Sequence, residues 1–315
     1  MSKTIGVIGA GGWGIALAKL LADKDQQVTL WCHGEDSFQE LRRTRASTAY
    51  LAGITLPDAV RITRSIADAV GDQSFMICAV PSHAMRQVMT QAVRYTRLDS
   101  RIICAAKGLE EDSLKTMGEV LSDTYGASQA TQHAFLSGPT FAFEVARGLP
   151  AAVTVAASDE KVATEVQEAL STPNFRVYTS PDVIGVQIGG VVKNVIAIAA
   201  GISDGLGLGQ NARAALITRG LAEMTRLAAR MGADPLTLAG LPGLGDLILT
   251  CAGDLSRNRK VGLAIARGQT LREIAAGTKT IAEGIRNTRS VFLLSRRLSV
   301  EMPIVEQMFQ VLYEG

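Results

Sequence analysis

The chain has 315 residues, of which 47% are hydrophobic and 20% charged, and its 32 basic and 30 acidic residues give a net charge of +2. A chain of this length and composition is expected to form two domains with sizeable apolar cores. The balanced charge provides no general attraction to nucleic acid or to an anionic membrane, so any bound anion needs a local site. We therefore expect a small-molecule ligand and no nucleic-acid partner.

The rest of the composition argues against metal binding and membrane insertion. The four cysteines contain no Cys-x-x-Cys pair and only three histidines are present, which predicts buried reduced thiols, a cytoplasmic protein and no metal site. Met1-Ser2-Lys3 leads directly into an apolar strand, without the features of a signal peptide. The most apolar long segment, 185–202, carries Lys193 and Asn194 near its centre, which favours a buried helix over a membrane span.

The first half of the chain alternates short β-rich segments with helical patterns. The predicted strands are 4–8, 27–31, 75–80, 101–106, 133–136 and 151–156. Alternating strands and helices indicate a doubly wound parallel sheet of the α/β class, and the wholly apolar strands at 75–80 and 101–106 are typical of strands buried on both faces.

The second half is predicted to be all-helical. Thr179-Ser180-Pro181-Asp182 marks the junction, with Ser180 predicted to cap a helix that has Pro181 in its first turn. Helix breaks are expected near 201–209, 240–245, Gly268 and Gly277. We place the domain boundary between residues 179 and 180, which gives domains of 1–179 and 180–315.

A glycine-rich turn follows the first strand. Gly9-Ala10-Gly11-Gly12-Trp13-Gly14 fits G-x-G-x-x-G between a strand and a helix. In such a turn Gly9 permits the tight bend, Gly11 leaves room for a pyrophosphate, and Gly14 allows close packing of helix on strand. The free N–H groups of the helix N-terminus then bind phosphate oxygens, so the motif predicts a dinucleotide site.

The end of the second strand bears on the choice of dinucleotide. An acidic residue usually accepts a hydrogen bond from the ribose 2′-hydroxyl of NAD there. Here the strand ends in Trp31-Cys32-His33-Gly34, and Glu35 comes later. His33, or Arg42 and Arg43 beyond it, would suit a 2′-phosphate, which favours NADP or dual use; the alternative is that His33 is a solvated loop residue.

Polar residues follow three later strands: Ser82-His83, Lys107-Gly108 and Gly138-Pro139-Thr140. Ligands of open parallel sheets bind beyond the carboxyl ends of the strands, so these residues are candidates for one crevice. Lys107 is the most informative of them, although its position is equally compatible with a surface lysine that snorkels.

In the helical half, Lys193 stands beside Asn194 in a segment that is apolar on all sides. A buried lysine needs a partner or a chemical role, and desolvation lowers its pKa toward the range useful for acid/base catalysis. A structural ion pair is the alternative. Asp246, after Gly243-Leu244-Gly245, is a candidate to hydrogen-bond Lys193, or else a helix N-cap.

Ser256-Arg257-Asn258-Arg259-Lys260 is a basic segment at a predicted helix start. This combination suits a phosphate ester, with a solvated basic turn as the alternative.

Taken together, these segments resemble the bacterial NAD(P)-dependent glycerol-3-phosphate dehydrogenase family. The matching stretches are GAGGWGIALA, AVPSHAMR, AAKGLE, SGPTFAFEVARGLP, GGVVKNVIAIAAGI, GLGDLILTC, SRNRKVG and TIAEG. The resemblance implies a Rossmann-like domain followed by a helical domain of the 6-phosphogluconate dehydrogenase type. It also implies interconversion of dihydroxyacetone phosphate and sn-glycerol 3-phosphate with NAD(P)H, in the service of glycerophospholipid synthesis, and a homodimer.

The resemblance also assigns roles. Lys193 is implied to be the catalytic acid/base, and the groups around the reacting carbonyl are Lys107, Asn194, Asp246 and Thr250. Substrate contacts are implied for Lys107, Gly138, Thr140, Lys193, Asp246, Ser256, Arg257 and Asn258. Cofactor contacts are implied for Gly9, Gly11, Gly12, Trp13, Gly14, His33, Tyr50, Lys107, Ala142, Arg257, Ile281 and Glu283.

Two positions depart from the family pattern. The family more often has Ser where this chain has Gly12, and it often has Arg near Cys32-His33. Two rival functions share parts of this pattern. A dehydrogenase for a carboxylate substrate, such as a 2-ketopantoate reductase or a β-hydroxyacid dehydrogenase, shares the two-domain plan, but the S-R-N and A-A-K-G-L-E segments favour the phosphate ester. A dinucleotide-binding redox sensor would need no Lys193–Asp246 pair.

Overall fold

The computed structural model describes residues 3–276 and 282–314, and it divides into two compact units. Unit 1 comprises Met1–Ala106, Met117–Leu136 and Thr140–Val183. Unit 2 comprises Lys107–Thr116, Ser137–Pro139 and Ile184–Gly315. Two short segments from the first half of the chain therefore pack with the second half.

Unit 1 is built on an eight-stranded sheet in the order β3-β2-β1-β4-β5-β6-β7-β8. The strands are β1 Thr4–Ile8, β2 Gln27–Trp31, β3 Arg61–Thr63, β4 Phe75–Cys78, β5 Arg101–Cys104, β6 His133–Ser137, β7 Ala151–Ala157 and β8 Phe175–Ser180. The helices are α1 Gly12–Ala22, α2 Glu35–Thr44, α3 Ile66–Val70, α4 Met85–Ala92, α5 Met117–Tyr125, α6 Ala142–Ala146 and α7 Glu160–Leu170.

The strand order places a topological switch point between β1 and β4. β1 pairs in parallel with β2 on one side and with β4 on the other, in the registers Ile8↔Trp31 and Ile8↔Cys78. Every residue of β4 is buried, because both faces of the sheet carry helices. Ligands of such sheets bind beyond the carboxyl ends of the strands at the switch point, where the glycine-rich turn after β1 lies.

The six predicted strands are present within two residues of their expected ends, but β3 and β8 were not predicted. β3 has only three residues and pairs with β2 alone. β8 begins with alternating buried and exposed residues, as a strand with one solvent-facing side does, so it lacks the continuous apolar pattern of β4 and β5. Both lie at edges of the sheet.

Unit 2 is helical. Its helices are α8 Val183–Gly205, α9 Gly209–Arg230, α10 Pro235–Ala239, α11 Asp246–Ala252, α12 Arg257–Ala266, α13 Leu271–Ala276, α14 Glu283–Leu298 and α15 Pro303–Tyr313, with a π-helical turn at Leu241–Gly245. α8 begins two residues later than predicted, because β8 continues to Ser180 and the Ser180 hydroxyl accepts a hydrogen bond from the Asp182 N–H. The break predicted at Gly277 lies outside the described residues.

α8 is the core helix of unit 2. It is long and apolar enough to cross a membrane by length and composition, but 83% of its most apolar 18-residue window is buried inside the folded chain. A helix buried to this extent is a core helix, as the polar pair Lys193 and Asn194 near its centre predicts. All four cysteines are buried, and none of them forms a disulfide.

Candidate active site

The glycine-rich turn after β1 has a different physical requirement at each glycine. Gly9 has φ +115°, and a Cβ there would lie 2.8 Å from the carbonyl oxygen of Ala79. A Cβ at Gly14 would lie 1.8 Å from the Gly9 oxygen. At Gly11, by contrast, the described residues other than its two chain neighbours place no heavy atom within 4 Å of a Cβ position. The fold therefore explains Gly9 and Gly14, whereas the space above Gly11 suits a ligand.

The space at Gly11 lies at the N-terminus of α1. Gly11 is the N-cap and no side chain caps the helix. Unpaired N–H groups and the positive end of the helix dipole favour an anion there, so the residues present fit the pyrophosphate of a dinucleotide. Tyr50 and Ala142 lie 3.8–3.9 Å from a Cβ at Gly12, at ordinary contact distance, so this backbone would also accept the serine that the family more often has.

Two acidic residues, Glu35 and Asp36, lie in the first turn of α2 after β2, and both are exposed. His33 is exposed and its ring lies 5.6 Å from that of Trp31. Glu35 forms an ion pair with Arg64. Arg42 and Arg43 are exposed in the last turn of α2.

In unit 2, two lysines share one buried carboxylate. Lys107 Nζ lies 2.8 Å from Asp246 Oδ2, and Lys193 Nζ lies 2.5 Å from Asp246 Oδ1. Asp246 is fully buried, and its Oδ atoms bridge two residues that are 86 positions apart in sequence. Lys107 also donates to the Gly138 carbonyl at 3.3 Å. The alternative that Asp246 is an ordinary N-cap does not hold, because the carboxylate is bonded to the lysines.

Two glycines of α8 allow this arrangement. A Cβ at Gly189 would lie 2.3 Å from the Pro242 oxygen, so glycine there lets the Leu241–Gly245 turn, and with it Asp246, approach the helix. A Cβ at Gly190 would lie 3.1 Å from Ser137 Oγ and, at an ordinary contact distance, 3.4 Å from Cγ of Lys107. Gly189 thus allows the turn that carries Asp246 to reach α8, and Gly190 lies where Ser137 and the Lys107 stem pack on the helix.

Within the part of the chain that the structure describes, the Lys193 ammonium has two acceptors, which leaves one N–H group available. It donates to Asp246 and, at 3.0 Å, to Thr250 Oγ1, whose own hydroxyl donates to the Asp246 carbonyl oxygen at 2.6 Å. An ammonium group has three donors, so the third can reach a substrate oxygen.

Burial decides the acid/base character of this cluster. Burial lowers the pKa of Lys193 to about 8; the Asp246 carboxylate opposes the fall and the Lys107 charge adds to it. Burial alone would raise the pKa of Asp246, but the Lys107 and Lys193 ammonium groups hold it below its ordinary value. The carboxylate therefore stays ionised while Lys193 titrates near neutral pH, as an acid/base catalyst should.

Hydrogen bonds of two buried asparagine side chains, Asn194 and Asn258, connect α8, α12 and α14. Asn258 Nδ2 donates to Asn194 Oδ1 at 2.8 Å, and Asn258 Oδ1 accepts from the Gly284 N–H at 3.0 Å. Asn194 Nδ2 donates to the Gly190 carbonyl at 3.2 Å. Asn194, which the resemblance places near the reacting carbonyl, thus also holds Asn258.

The segment that was predicted to bind phosphate forms the start of α12. Ser256 is the N-cap, and its hydroxyl accepts from the Arg259 N–H at 3.2 Å. Arg257, the first helical residue, is exposed. Close to this helix start, burial raises the pKa of Glu283, against the opposing effect of the Arg257, Lys107 and Lys193 charges.

Comparison with known proteins agrees with this geometry. Residues 4–163 match the family model for the N-terminus of NAD-dependent glycerol-3-phosphate dehydrogenase, and residues 182–315 match the model for its C-terminus. The glycerol-3-phosphate dehydrogenase [NAD(P)+] of Geobacter sp. (strain M21) is 52% identical over 315 residues, which are 100% of this chain and 94% of that protein. That of Anaeromyxobacter dehalogenans is 53% identical over 309 residues, 98% of this chain and 93% of that protein.

A solved structure shows the same fold. The crystal structure of glycerol-3-phosphate dehydrogenase from Coxiella burnetii has a TM-score of 0.95 and 39% identity, covering 99% of this chain and 95% of that one. The chain belongs to the NAD-dependent glycerol-3-phosphate dehydrogenase family. The predicted family, fold class, enzyme class and NAD(P) cofactor are thereby confirmed.

The two units divide the residues that the resemblance to glycerol-3-phosphate dehydrogenase assigns. Unit 1 holds Gly9, Gly11, Gly12, Trp13, Gly14, His33, Tyr50, Thr140 and Ala142, and unit 2 holds Lys107, Gly138, Lys193, Asn194, Asp246, Thr250, Ser256, Arg257, Asn258 and Glu283. Ile281 lies outside the described residues.

Sequence reasoning missed Asn287 of α14. It is 1% exposed, and its Nδ2 donates to the Lys107 carbonyl at 3.4 Å. The polar pair Asn287-Thr288 in the buried face of a helix was the available signal. That signal indicates a buried polar contact but not its partner, which lies 180 residues away.

Proposed function

We propose that the chain catalyses the reversible reduction of dihydroxyacetone phosphate to sn-glycerol 3-phosphate with NAD(P)H, and that Lys193 is its proton donor. The observation that carries the proposal is the buried Lys193 ammonium, which has one donor left after Asp246 and Thr250. We also propose two domains, 1–179 for the cofactor and 180–315 for substrate and catalysis.

Substrate binding is assigned to the N-terminal turn of α12. The exposed Arg257 guanidinium and the N–H groups at the helix start suit a phosphate dianion, which gains from both charge and the helix dipole. Asn258 keeps one amide N–H beyond its bond to Asn194. The phosphate held here orients the carbonyl end toward the lysines.

The proton step uses the lysine pair. The bound nicotinamide supplies the hydride that reaches the carbonyl carbon. Lys193 donates its free N–H proton to the carbonyl oxygen as negative charge develops there, and the Lys107 ammonium stabilises that charge. Asp246 orients both lysines and remains ionised. Fixed positive groups aimed at a developing oxyanion contribute several kcal/mol to lowering such barriers.

The reverse reaction needs the neutral lysine. Lys193 accepts the hydroxyl proton of glycerol 3-phosphate only when deprotonated, and its pKa of about 8 makes both forms accessible near neutral pH. Product from the reductive direction would supply glycerophospholipid synthesis.

The test is absorbance at 340 nm with dihydroxyacetone phosphate and either NADPH or NADH. Wild type is compared with Lys193→Ala and with Lys161→Ala, a control at an exposed lysine of α7. We expect oxidation of the cofactor by wild type and Lys161→Ala, and its near-complete loss in Lys193→Ala. Turnover of 2-ketopantoate in place of dihydroxyacetone phosphate would overturn the proposal.

For the cofactor we propose a preference for NADPH. Its support is the exposed His33 directly after β2 and the pairing of the nearby Glu35 carboxylate with Arg64. The ratio of kcat/KM for NADPH and NADH measures the preference, and His33→Asp should shift it toward NADH. A ratio that favours NADH in wild type would contradict it.

We further propose a cytoplasmic homodimer. Exposed apolar side chains of unit 2, Leu206, Leu208 and Leu255, support a subunit interface. Four buried cysteines that form no disulfide suit a reducing compartment. Size-exclusion chromatography with light scattering would give twice the 33.3 kDa chain mass for a dimer.

A further inference from the structure

α12 lies in close backbone contact with the C-terminal half of α8. A Cβ at Gly201 would lie 2.1 Å from the Arg259 carbonyl oxygen, and a Cβ at Gly262 would lie 2.1 Å from the Ile198 oxygen. A Cβ at Gly205 would lie 2.5 Å from that of Ala266. The two helices can approach this closely only because these positions are glycines. Close packing against α8 thus fixes the position of α12.

One carboxylate at the end of α8 fixes the first turn of α12. Asp204 Oδ2 accepts from Arg259 Nε at 2.8 Å and lies 2.7 Å from Arg259 Nη2. Arg213 of α9 donates to the same oxygen at 3.1 Å. The side chains of Asp204 and Arg259 are each only 13% exposed. We call Asp204, Arg213 and Arg259 the α8–α9–α12 ion cluster.

Arg259 belongs to the basic segment that was predicted to bind phosphate, but each of its three guanidinium nitrogens already faces a carboxylate. Nε and Nη2 face Asp204, and Nη1 donates to Asp254 at 3.0 Å. Arg257, two residues earlier, is exposed at the helix start. Two arginines of the same turn therefore have different surroundings. Arg259 binds Asp204 and holds α12 against α8, whereas Arg257 is exposed.

The anchored turn carries the groups that the proposed function assigns to the phosphate. The backbone N–H of Arg259 is bonded to the Ser256 hydroxyl, so the arginine is tied at its backbone to the N-cap and at its side chain to Asp204. Ser256 and Asn258, on either side of Arg257, are both buried. A shift of Arg259 would therefore move the phosphate-binding turn as a unit.

We propose that Asp204 and Arg259 are positioning residues for recognition of the substrate phosphate. The inference rests on the proposed function, because it assumes that the α12 N-terminus holds the phosphate. Asp204 acts through Arg259 and touches no substrate. Its contribution is to hold the turn where Arg257 and the helix N–H groups converge on the dianion.

A simple charge effect predicts the opposite result. Removing the Asp204 carboxylate makes the surroundings more positive, which by itself strengthens binding of a dianion. A positioning role predicts weaker binding, because the first turn of α12 loses its anchor. The direction of the change therefore separates the two explanations.

The experiment compares dihydroxyacetone phosphate with dihydroxyacetone, which lacks the phosphate, in wild type and Asp204→Asn. We expect kcat/KM for the phosphate ester to fall by about 10- to 100-fold through a raised KM, while kcat/KM for dihydroxyacetone stays within about twofold. The inhibition constant of inorganic phosphate against the phosphate ester should rise in parallel.

Matched variants complete the test. Asp254→Asn removes an exposed partner of the same arginine and should behave as wild type. Arg259→Lys keeps the charge but loses the planar guanidinium, and its kcat/KM should fall for the phosphate ester only, by a smaller factor than in Asp204→Asn. If circular dichroism shows that Asp204→Asn does not fold, Arg259→Lys replaces it in the comparison. An equal loss on both substrates, no loss, or tighter phosphate binding would overturn the inference. A wild type that fails to prefer the phosphate ester would instead overturn the proposed phosphate site.

Discussion

Lys193 Nζ lies 2.5 Å from Asp246 Oδ1, and both residues are buried in the core of the helical unit. Desolvation pulls the pKa of the lysine down to about 8, and the carboxylate prevents a larger fall. The pair therefore sets the pH at which the proposed catalyst changes protonation state.

The first prediction concerns the pH dependence of the two directions. Reduction needs protonated Lys193, so its kcat/KM should fall as pH rises through about 8. Oxidation of glycerol 3-phosphate needs the neutral amine, so its kcat/KM should rise through the same pH. Lys193→Ala should lower both by roughly 100- to 10,000-fold. Steady-state pH profiles check this, and parallel profiles for the two directions would contradict it.

The second prediction concerns Asp246→Asn. The substitution removes the charge that raises the pKa of Lys193, while burial and the Lys107 charge still lower it. The midpoint of the oxidation profile should therefore move below pH 8, with a lower kcat because the lysines lose their orientation.

Asp246→Asn should also reduce stability. Breaking a buried ion pair by removing one partner costs about 3–5 kcal/mol. Denaturant unfolding measures this cost, with Asp58→Asn as an exposed control. Unchanged stability together with an unchanged pH midpoint would show that the carboxylate does not support Lys193.

The third prediction concerns acid stability. His133 is 2% exposed and its Nε2 has no hydrogen-bond partner among the described residues, and burial lowers the pKa of its ring to about 4. In the unfolded chain the ring of His133 takes up a proton near pH 6.5, whereas in the folded chain it stays neutral until about pH 4. The contribution of His133 to the unfolding free energy is therefore fully present above pH 6.5 and is lost as pH falls toward 4. The loss should amount to about 3 kcal/mol.

His133→Leu should flatten the dependence of the unfolding free energy on pH between 6.5 and 4, because leucine does not titrate. Urea unfolding at several pH values measures this. His83→Gln, at an exposed histidine, should retain the wild-type slope. An equal slope in all three proteins would show that another group causes the acid sensitivity.

Much of the fold could be predicted from the sequence because its elements are locally determined. Buried strands such as β4 have continuous apolar sequences, and the glycine-rich turn lies directly after β1. β8 escaped prediction because its polar, solvent-facing residues resemble a connecting segment.

The site was predictable in its residue types but not in its pairings. A lysine inside an apolar helix signals a buried partner, and Asp246 was a candidate for it. The pairing of Lys107 with Asp246 joins residues that are 139 positions apart. The pairing of Arg259 with Asp204, which distinguishes Arg259 from the exposed Arg257, joins residues that are 55 positions apart. Such pairings follow from packing, which residue patterns do not encode.

The last prediction separates the cofactor role of the glycine-rich turn from its structural role. At Gly11 a Cβ would meet no atom of the described, non-adjacent residues within 4 Å, and the backbone is extended, so Gly11→Ala should change the unfolding free energy by no more than about 1 kcal/mol. The methyl group occupies the space assigned to the pyrophosphate, so the Kd for NADPH should rise by at least about tenfold, equivalent to about 1.4 kcal/mol. Isothermal titration calorimetry and thermal unfolding measure the two quantities.

Gly14→Ala is the matched comparison. Its Cβ would lie 1.8 Å from the Gly9 oxygen, so α1 must move away from β1 and the protein should unfold at a lower temperature even without cofactor. A Gly11→Ala protein that binds NADPH as tightly as wild type would show that the pyrophosphate does not lie at this helix N-terminus. If Gly11→Ala lowered the unfolding temperature of the cofactor-free protein as much as Gly14→Ala does, Gly11 would be required for the fold and not for binding the cofactor.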